Sequence, residues 1–196
     1  MIVLDITHQQ SELIMDEIEK GQLQDDLSER GLELGQHVRM GRIIQAPAAT
    51  IWKVVSTPGQ LNKYHPYCRE NKVYKWPGVG SRDGLVYYSG LYVERDFICW
   101  REGVGYDLQI GPPPRKTALI SWNIGHLGEA QSDFSLTVTP ILESHLLETT
   151  KKTYVQSFAA SVEVYLDSFL RGVDHFVMTG KEVEARQFGA HPMFAP

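Results

Sequence analysis

Phe158, Val162, Tyr165, Leu166, Phe169, Val173, Phe176 and Val177 recur at intervals of three or four residues, the spacing that lines one face of an α-helix. The stripe predicts a helix over residues 157–185, roughly 40 Å long at 1.5 Å per residue. A helix of that length with one apolar face needs a partner surface of comparable length. In a chain of 196 residues that surface has to come from what precedes it.

What precedes it has a period of two. Between residues 84 and 100, Leu85, Tyr87, Ser89, Leu91, Val93, Arg95, Phe97 and Cys99 share one face, and Tyr88, Glu94 and Asp96 share the other, as successive side chains of a strand do. Gly90 predicts a bend or bulge that divides this run. The same period returns in Val38, Met40 and Ile44, in Tyr106, Leu108 and Ile110, in Ala118, Ile120, Trp122 and Ile124, and in Phe134, Leu136 and Val138. Further strands are expected over 69–76 and, with a face of Thr and Lys, over 144–155. Two short helices interrupt the strands. Pro47 suits the first turn of one that carries Ile51, Trp52 and Val55. The other, through Leu61 and Tyr64, stops at His65-Pro66, because a residue before proline avoids the α region. The order is strand, two short helices, about six antiparallel strands, long helix. It predicts an α+β domain in which a curved antiparallel sheet wraps around the long C-terminal helix. The concave face and the helix cannot touch everywhere, and the space left between them is an internal, largely apolar cavity.

Residues 1–35 stand apart, rich in Glu, Gln and Asp and without an aromatic residue. Thr7 and Gln10 resemble a capping box, and Leu13, Ile14 and Ile18 form a narrow apolar stripe. Gly21 is expected to end that helix, and Leu23 and Leu27 predict a second short one before Gly31. The chain thus divides into an N-terminal helical extension (1–35), a main domain (36–188) and an irregular tail (189–196) that holds Pro192 and Pro196. A stripe this thin must pack on the main domain or on a second copy of the chain, which makes a homodimer through the extension one of two expectations.

Composition narrows the function. A formal net charge of −5 argues against nucleic acid, whose binders carry a basic face, and gives no attraction to anionic lipid. No stretch approaches the ~20 apolar residues of a membrane span, and the first residues lack the basic region and long apolar run of a secretory signal. Cys68 and Cys99 are far apart and form no CxxC, so reduced thiols and a cytoplasmic location are the simplest reading. His126 and His145 stand isolated, so no metal is expected, and no glycine-rich strand-to-helix turn suggests a nucleotide. No cofactor is called for.

Three local segments carry a family resemblance. Gln45-Ala46-Pro47-Ala48-Ala49-Thr50-Ile51-Trp52-Lys53-Val54-Val55-Ser56 is similar to the first-strand-to-first-helix signature of the polyketide cyclase/dehydrase branch of the START/Bet v 1-like (SRPBCC) superfamily. Lys63-Tyr64-His65-Pro66 resembles the Trp/Tyr-His-Pro segment that follows it there, and Gly78-Val79-Gly80-Ser81-Arg82 resembles the glycine-bearing stretch before the next strand. The resemblance covers residues 36 to about 185 and implies the helix-grip fold. It also implies a cavity for a hydrophobic or aromatic molecule such as a lipid, polyketide or quinone. Fold alone does not choose among the activities such a scaffold hosts. Ring-hydroxylating oxygenases with this fold hold iron through two histidines and a carboxylate, and no matching histidine pair occurs here.

The candidate ligand-binding residues are Trp52, Tyr64, Tyr87, Arg95, Tyr106, Trp122, Tyr165 and Phe169. Each aromatic residue among them also reads as core. His65, Tyr87 and Arg95 are the candidates for moving protons or stabilising an enolate. Arg95 stands in the inward phase of its strand, where an unpaired guanidinium is expensive to bury. Either a bulge turns it to water, or it faces the cavity and meets a carboxylate or a ligand. Asp83, Glu94 and Asp96 read as solvent-facing or structural. Three functions follow: a carrier or sensor of an apolar small molecule, a cofactor-independent cyclase or dehydratase on a polyketide-like or aromatic substrate, and an interaction module that acts through the acidic N-terminal helices.

Overall fold

The computed structural model describes residues 14–196. The capping signal at Thr7 and Gln10, and Leu13, fall outside them.

The first described element is α1 (Glu17–Glu29). Asp16 caps it, accepting from the backbone N–H groups of Ile18 and Glu19, while the Glu19 carboxylate accepts from the Asp16 N–H. The expected break at Gly21 does not occur. A mid-helix glycine costs about 1 kcal/mol relative to alanine, and the reciprocal cap can offset that much. One helix therefore replaces the two predicted, and it ends before Gly31, whose φ of +68° reverses the chain. A short strand that the sequence reading did not foresee follows, β1 (Leu32–Leu34), then β2 (Val38–Ile44).

The helices α2 (Ala48–Val55) and α3 (Leu61–Tyr64) stand where they were expected. Then come β3 (Cys68–Lys75), β4 (Arg82–Tyr87), β5 (Tyr92–Arg101), β6 (Gly105–Gly111), β7 (Ala118–Gly128) and β8 (Gln131–Glu143). Gly90, at φ +88°, sits in the turn that splits the long alternation into β4 and β5. All pairings are antiparallel, in the order β1-β8-β7-β6-β5-β4-β3, with β2 also on β8. The 13 residues of β8 accommodate both partners, β2 along its first part and β1 at its end.

The strand expected at 144–155 is not there. Its Thr and Lys residues imitate an exposed strand face, but the chain turns after Glu143 and enters α4 (Glu148–Thr179). Lys151 holds that corner: its ammonium donates to the Ser144 carbonyl and meets Glu33 and Glu148. The helix thus starts nine residues before the expected 157 and ends at Gly180, which takes the left-handed conformation that closes helices. Its 32 residues span about 48 Å. Leu166, Phe169, Leu170 and Val173 are buried against the concave side of the sheet, each such burial contributing about 1.5–3 kcal/mol. Gly172 lets α4 lie directly on α3, since a Cβ there would stand 2.2 Å from the Tyr64 carbonyl oxygen. This is the helix-grip α+β fold, a curved sheet closed on one long helix.

The convex side of the sheet is covered too. Asp107, Leu119 and Ser121 point away from α4 and are all buried. The backbone N–H groups of Ile14 and Met15 donate to the two oxygens of Asp107 (3.1 and 2.7 Å), and Arg101 pairs with Glu19 at 2.5 Å. Cys99 belongs to this outer layer, contrary to its assigned phase. A register shift between Phe97 and Cys99 moves it to the opposite face, beside Glu19. Among the described residues no helix is long and apolar enough to cross a membrane.

Candidate functional site

The interior between sheet and α4 holds a cavity of about 20 Å³, room for roughly one water molecule. Its walls are Leu61, Leu85, Leu108, Ile120 and Leu136 and their apolar neighbours, with His65, Arg95, Trp122, Tyr165 and Phe169 among them. Three polar side chains therefore meet an otherwise apolar space.

Arg95 is one of them. It is 5 % exposed and points inward, the second of the two alternatives its position left open. Its partner comes from the adjacent strand: Asp83, the residue directly across the β4–β5 pair, itself 1 % exposed. Nε donates to Oδ1 at 2.8 Å and Nη2 to Oδ2 at 2.5 Å, the two-pronged geometry that suits a guanidinium to a carboxylate. Asn71 adds a third donor to Asp83 at 3.0 Å. Burial alone would push the guanidinium pKa down, and the Asp83 charge and hydrogen bonds outweigh it and raise it. The guanidinium also lies 5.2 Å from the Phe97 ring centre and 5.8 Å from that of Trp122, within cation–π range.

His65 and Tyr165 supply the other two. The Tyr67 backbone N–H donates to His65 Nδ1 (3.2 Å), which assigns the ring proton to Nε2. That proton is donated to the Tyr165 hydroxyl at 2.7 Å, and Tyr165 in turn lies 3.2 Å from the Tyr87 hydroxyl. Burial, aided by the charge of Arg95, lowers the His65 pKa to about 3, so the imidazole is neutral at physiological pH. Burial also raises the pKa of Tyr87 and Tyr165. The result is a neutral chain of three hydrogen-bonding groups, with His65 and Tyr87 buried and Tyr165 partly buried.

The C-terminal tail seals this end. After Gly180 the chain doubles back, with Val183 N–H donating to the Lys63 carbonyl and Arg186 N–H to that of Pro66. Phe194 then packs on Tyr87 (4.5 Å between ring centres), Tyr165 (4.9 Å) and His191 (4.7 Å). Its carbonyl accepts from the Ser89 N–H at 2.9 Å. The tail forms turns and a bridge between His191 and Ala195, both 1 % exposed, and it belongs to the packing.

At the opposite end lies a tryptophan cluster. Trp52 and Trp100 both donate their indole N–H to Glu102, at 2.7 and 3.1 Å, and Trp76 donates to the Ser56 carbonyl at 2.9 Å. Tyr106 stacks on Trp100 and bonds the Val55 carbonyl. Among the described residues no group of three or more His, Cys, Asp or Glu side chains could hold a metal ion.

No family model and no curated protein match this chain. Solved structures do. Truncated norcoclaurine synthase from Thalictrum flavum superposes with a TM-score of 0.58 at 13 % identity, over 76 % of this chain and 96 % of that one. XoxI from Bacillus cereus gives 0.57 at 13 % identity, over 73 % and 96 %, and Ara h 8.0201 gives 0.51 at 14 % identity, over 76 % and 99 %. The chain has the START/Bet v 1-like fold. At these identities the likeness extends to the fold and no further.

Within that START/Bet v 1-like frame the predicted residues separate into groups. Arg95, Trp122, Tyr165, Phe169 and His65 line the cavity. Tyr87 stands one hydrogen bond behind, on Tyr165. Tyr64 packs between Phe169 and Phe176 under α4, while Trp52 and Tyr106 belong to the tryptophan cluster. Glu102 and Phe194 stand outside the residues the sequence pointed to, and Asp83 read only as solvent-facing or structural. Asp83 had a legible signal: it and Arg95 are equidistant from the β4–β5 turn, opposite charges on one inward face. Phe194 had none, because its partners are distant in sequence, and the carboxylate of Glu102 bridges nearby Trp100 to Trp52, which no periodicity encodes.

Proposed function

We propose that this protein binds an apolar or aromatic small molecule between the sheet and α4, as a carrier or sensor, and that the C-terminal tail moves to admit it. The observation that carries this reading is that Arg95, His65 and Tyr165 line an otherwise apolar interior, with Phe194 of the tail packed on Tyr165. Binding sites for small molecules combine apolar walls with a few convergent polar groups. A cavity of 20 Å³ admits no such ligand as it stands, so occupancy requires displacement. Phe194 is the group to displace: its main-chain hold on the sheet is the Ser89 bond. Asp83 engages Nε and Nη2 of Arg95, which leaves Nη1 to meet a ligand oxygen.

A second reading, a cyclase or dehydratase in which His65, Tyr87 and Arg95 act on a polyketide-like or aromatic substrate, draws support from the His65–Tyr165–Tyr87 chain. In this arrangement both ring nitrogens of His65 are engaged, so a substrate would have to replace Tyr165 before His65 could take a proton. Binding is the simpler use of the same geometry.

Titration with the neutral dye N-phenyl-1-naphthylamine tests the proposal. Phe194→Ala should bind the dye several-fold more tightly than the unmodified chain, because the closed state that competes with the ligand is weakened. Phe169→Trp should block binding while keeping the thermal transition. Equal affinity of all three folded proteins would count against an interior site behind the tail.

A further inference from the structure

We infer that a second site, selective for a small organic cation, lies outside the cavity in the groove between the ends of β3 and β5. The inference is independent of the interior ligand.

The groove arises from unequal strand lengths. Arg82, the first residue of β4, pairs with Asp96, so β5 runs on past the start of β4, and Trp100 and Glu102 project beside the end of β3. Trp76 leans across the gap. Its ring meets that of Trp100 at 87° with 5.0 Å between centres, a right-angled corner of two indoles. The open volume in front of it is about 560 Å³, within the range of small-molecule sites. Pro58, Val73 and Tyr74 complete the apolar walls.

Three features make this corner a cation site. First, the indole N–H groups are consumed within the protein: Trp52 and Trp100 on Glu102, Trp76 on the Ser56 carbonyl. Rings held in this way are preset; Tyr106 stacks on one face of Trp100, and what Trp76 and Trp100 leave open lines the groove, where an aromatic face carries the negative side of the quadrupole. Second, Glu102 is exposed and, among the described residues, its hydrogen bonds come from neutral indoles and it forms no ion pair. Its charge is available to a cation resting on the rings. Third, half-buried indoles beside a carboxylate are the chemistry that recognises alkylammonium groups, whose attraction to an aromatic face grows as water is excluded. Lys75 also lines the groove, but its ammonium lies over Gly80, 3.1 Å from where a Cβ would stand.

Choline and its neutral isostere 3,3-dimethylbutan-1-ol provide the test, read by tryptophan fluorescence and by the indole N–H shifts of the full chain. Choline should give saturable binding in the millimolar range, weakened by salt, with the alcohol about tenfold weaker, the factor expected of cation–π attraction reinforced by one carboxylate. Glu102→Gln should lose most of that preference, and Lys75→Gln should tighten choline. Equal binding of choline and the alcohol overturns the proposal. So does the absence of saturable binding, or preferential binding of benzoate that depends on Lys75. Should either variant fail to fold, the choline–alcohol comparison on the unmodified chain decides alone. Interior dye binding is read separately, so failure of one site leaves the other standing.

Discussion

Asp83 and Arg95 face each other across β4 and β5, and both are buried. The pair is two-pronged, and Arg95 forms part of the cavity wall. Removing one member strands the other charge in a low-dielectric interior, which typically costs about 3–5 kcal/mol. Arg95→Met and Asp83→Leu should each lower stability by that order in urea unfolding, and the double variant should lose far less than the two together. Additive losses would mean that the two residues stabilise the fold independently.

His65 sets an acid limit. Its pKa falls from the ordinary value near 6.5 to about 3 in the folded protein, so between those values the unfolded chain binds a proton that the native state refuses. Stability therefore rises with pH across this window and falls as pH drops from about 6.5 towards 3, by up to ~1.4 kcal/mol per pH unit from this group. His65→Gln should flatten that slope, as measured by urea midpoints between pH 4 and pH 7. An unchanged slope would move the acid sensitivity to another group.

The helix-grip fold was legible because its two periods differ: residues 84–100 alternate as a strand must, and Phe158 to Val177 repeat as a helix must. The errors came where a local pattern fits two structures. The Thr- and Lys-rich segment 149–153 reads as an exposed strand until Lys151 ties it into α4. Cys99 fits the inward phase until a one-residue shift turns it outward. Alternation put Arg95 in the inward phase but left a bulge that would turn it outward as an alternative, which the β4–β5 register does not contain; Phe194 reaches Tyr87 across more than a hundred residues, and no periodicity encodes such a contact.

Gly172 offers a test of how closely α3 and α4 must approach. A Cβ at this position would stand 2.2 Å from the Tyr64 carbonyl oxygen and 3.1 Å from the Pro66 ring. The obstacle is backbone, so it cannot rotate away. Gly172→Ala gains helix propensity yet should still destabilise by roughly 1–3 kcal/mol, the usual cost of overpacking. Because His65 lies between those two contacts in sequence, the variant should also shift the Tyr165 hydroxyl environment. A melting temperature equal to that of the unmodified chain would show that the helices can separate freely.

Asp107 ties the N-terminal segment to the convex face, and Cys99 reports on that tie. The carboxylate is fully buried and accepts from the N–H groups of Ile14 and Met15. Burial raises its pKa, and the hydrogen bonds partly oppose the rise. Cys99 lies under the same segment, and Cys68 lies at the start of β3, in the core that faces α4. Burial pushes both thiols up to about 12, so each is inert until its cover opens. Asp107→Ala leaves two backbone donors without a partner, which costs about 1–3 kcal/mol. If that cost falls on docking of the segment, Cys99 should react with a disulfide reagent about 5- to 150-fold faster, the equilibrium equivalent of that energy. Cys68 should be unaffected, since its cover is the core itself. Equal acceleration of both thiols would mean that the substitution loosens the whole domain, and that residues 14–29 are integral to the fold. Acceleration of Cys99 alone would make the segment an accessory layer on a domain that stands without it.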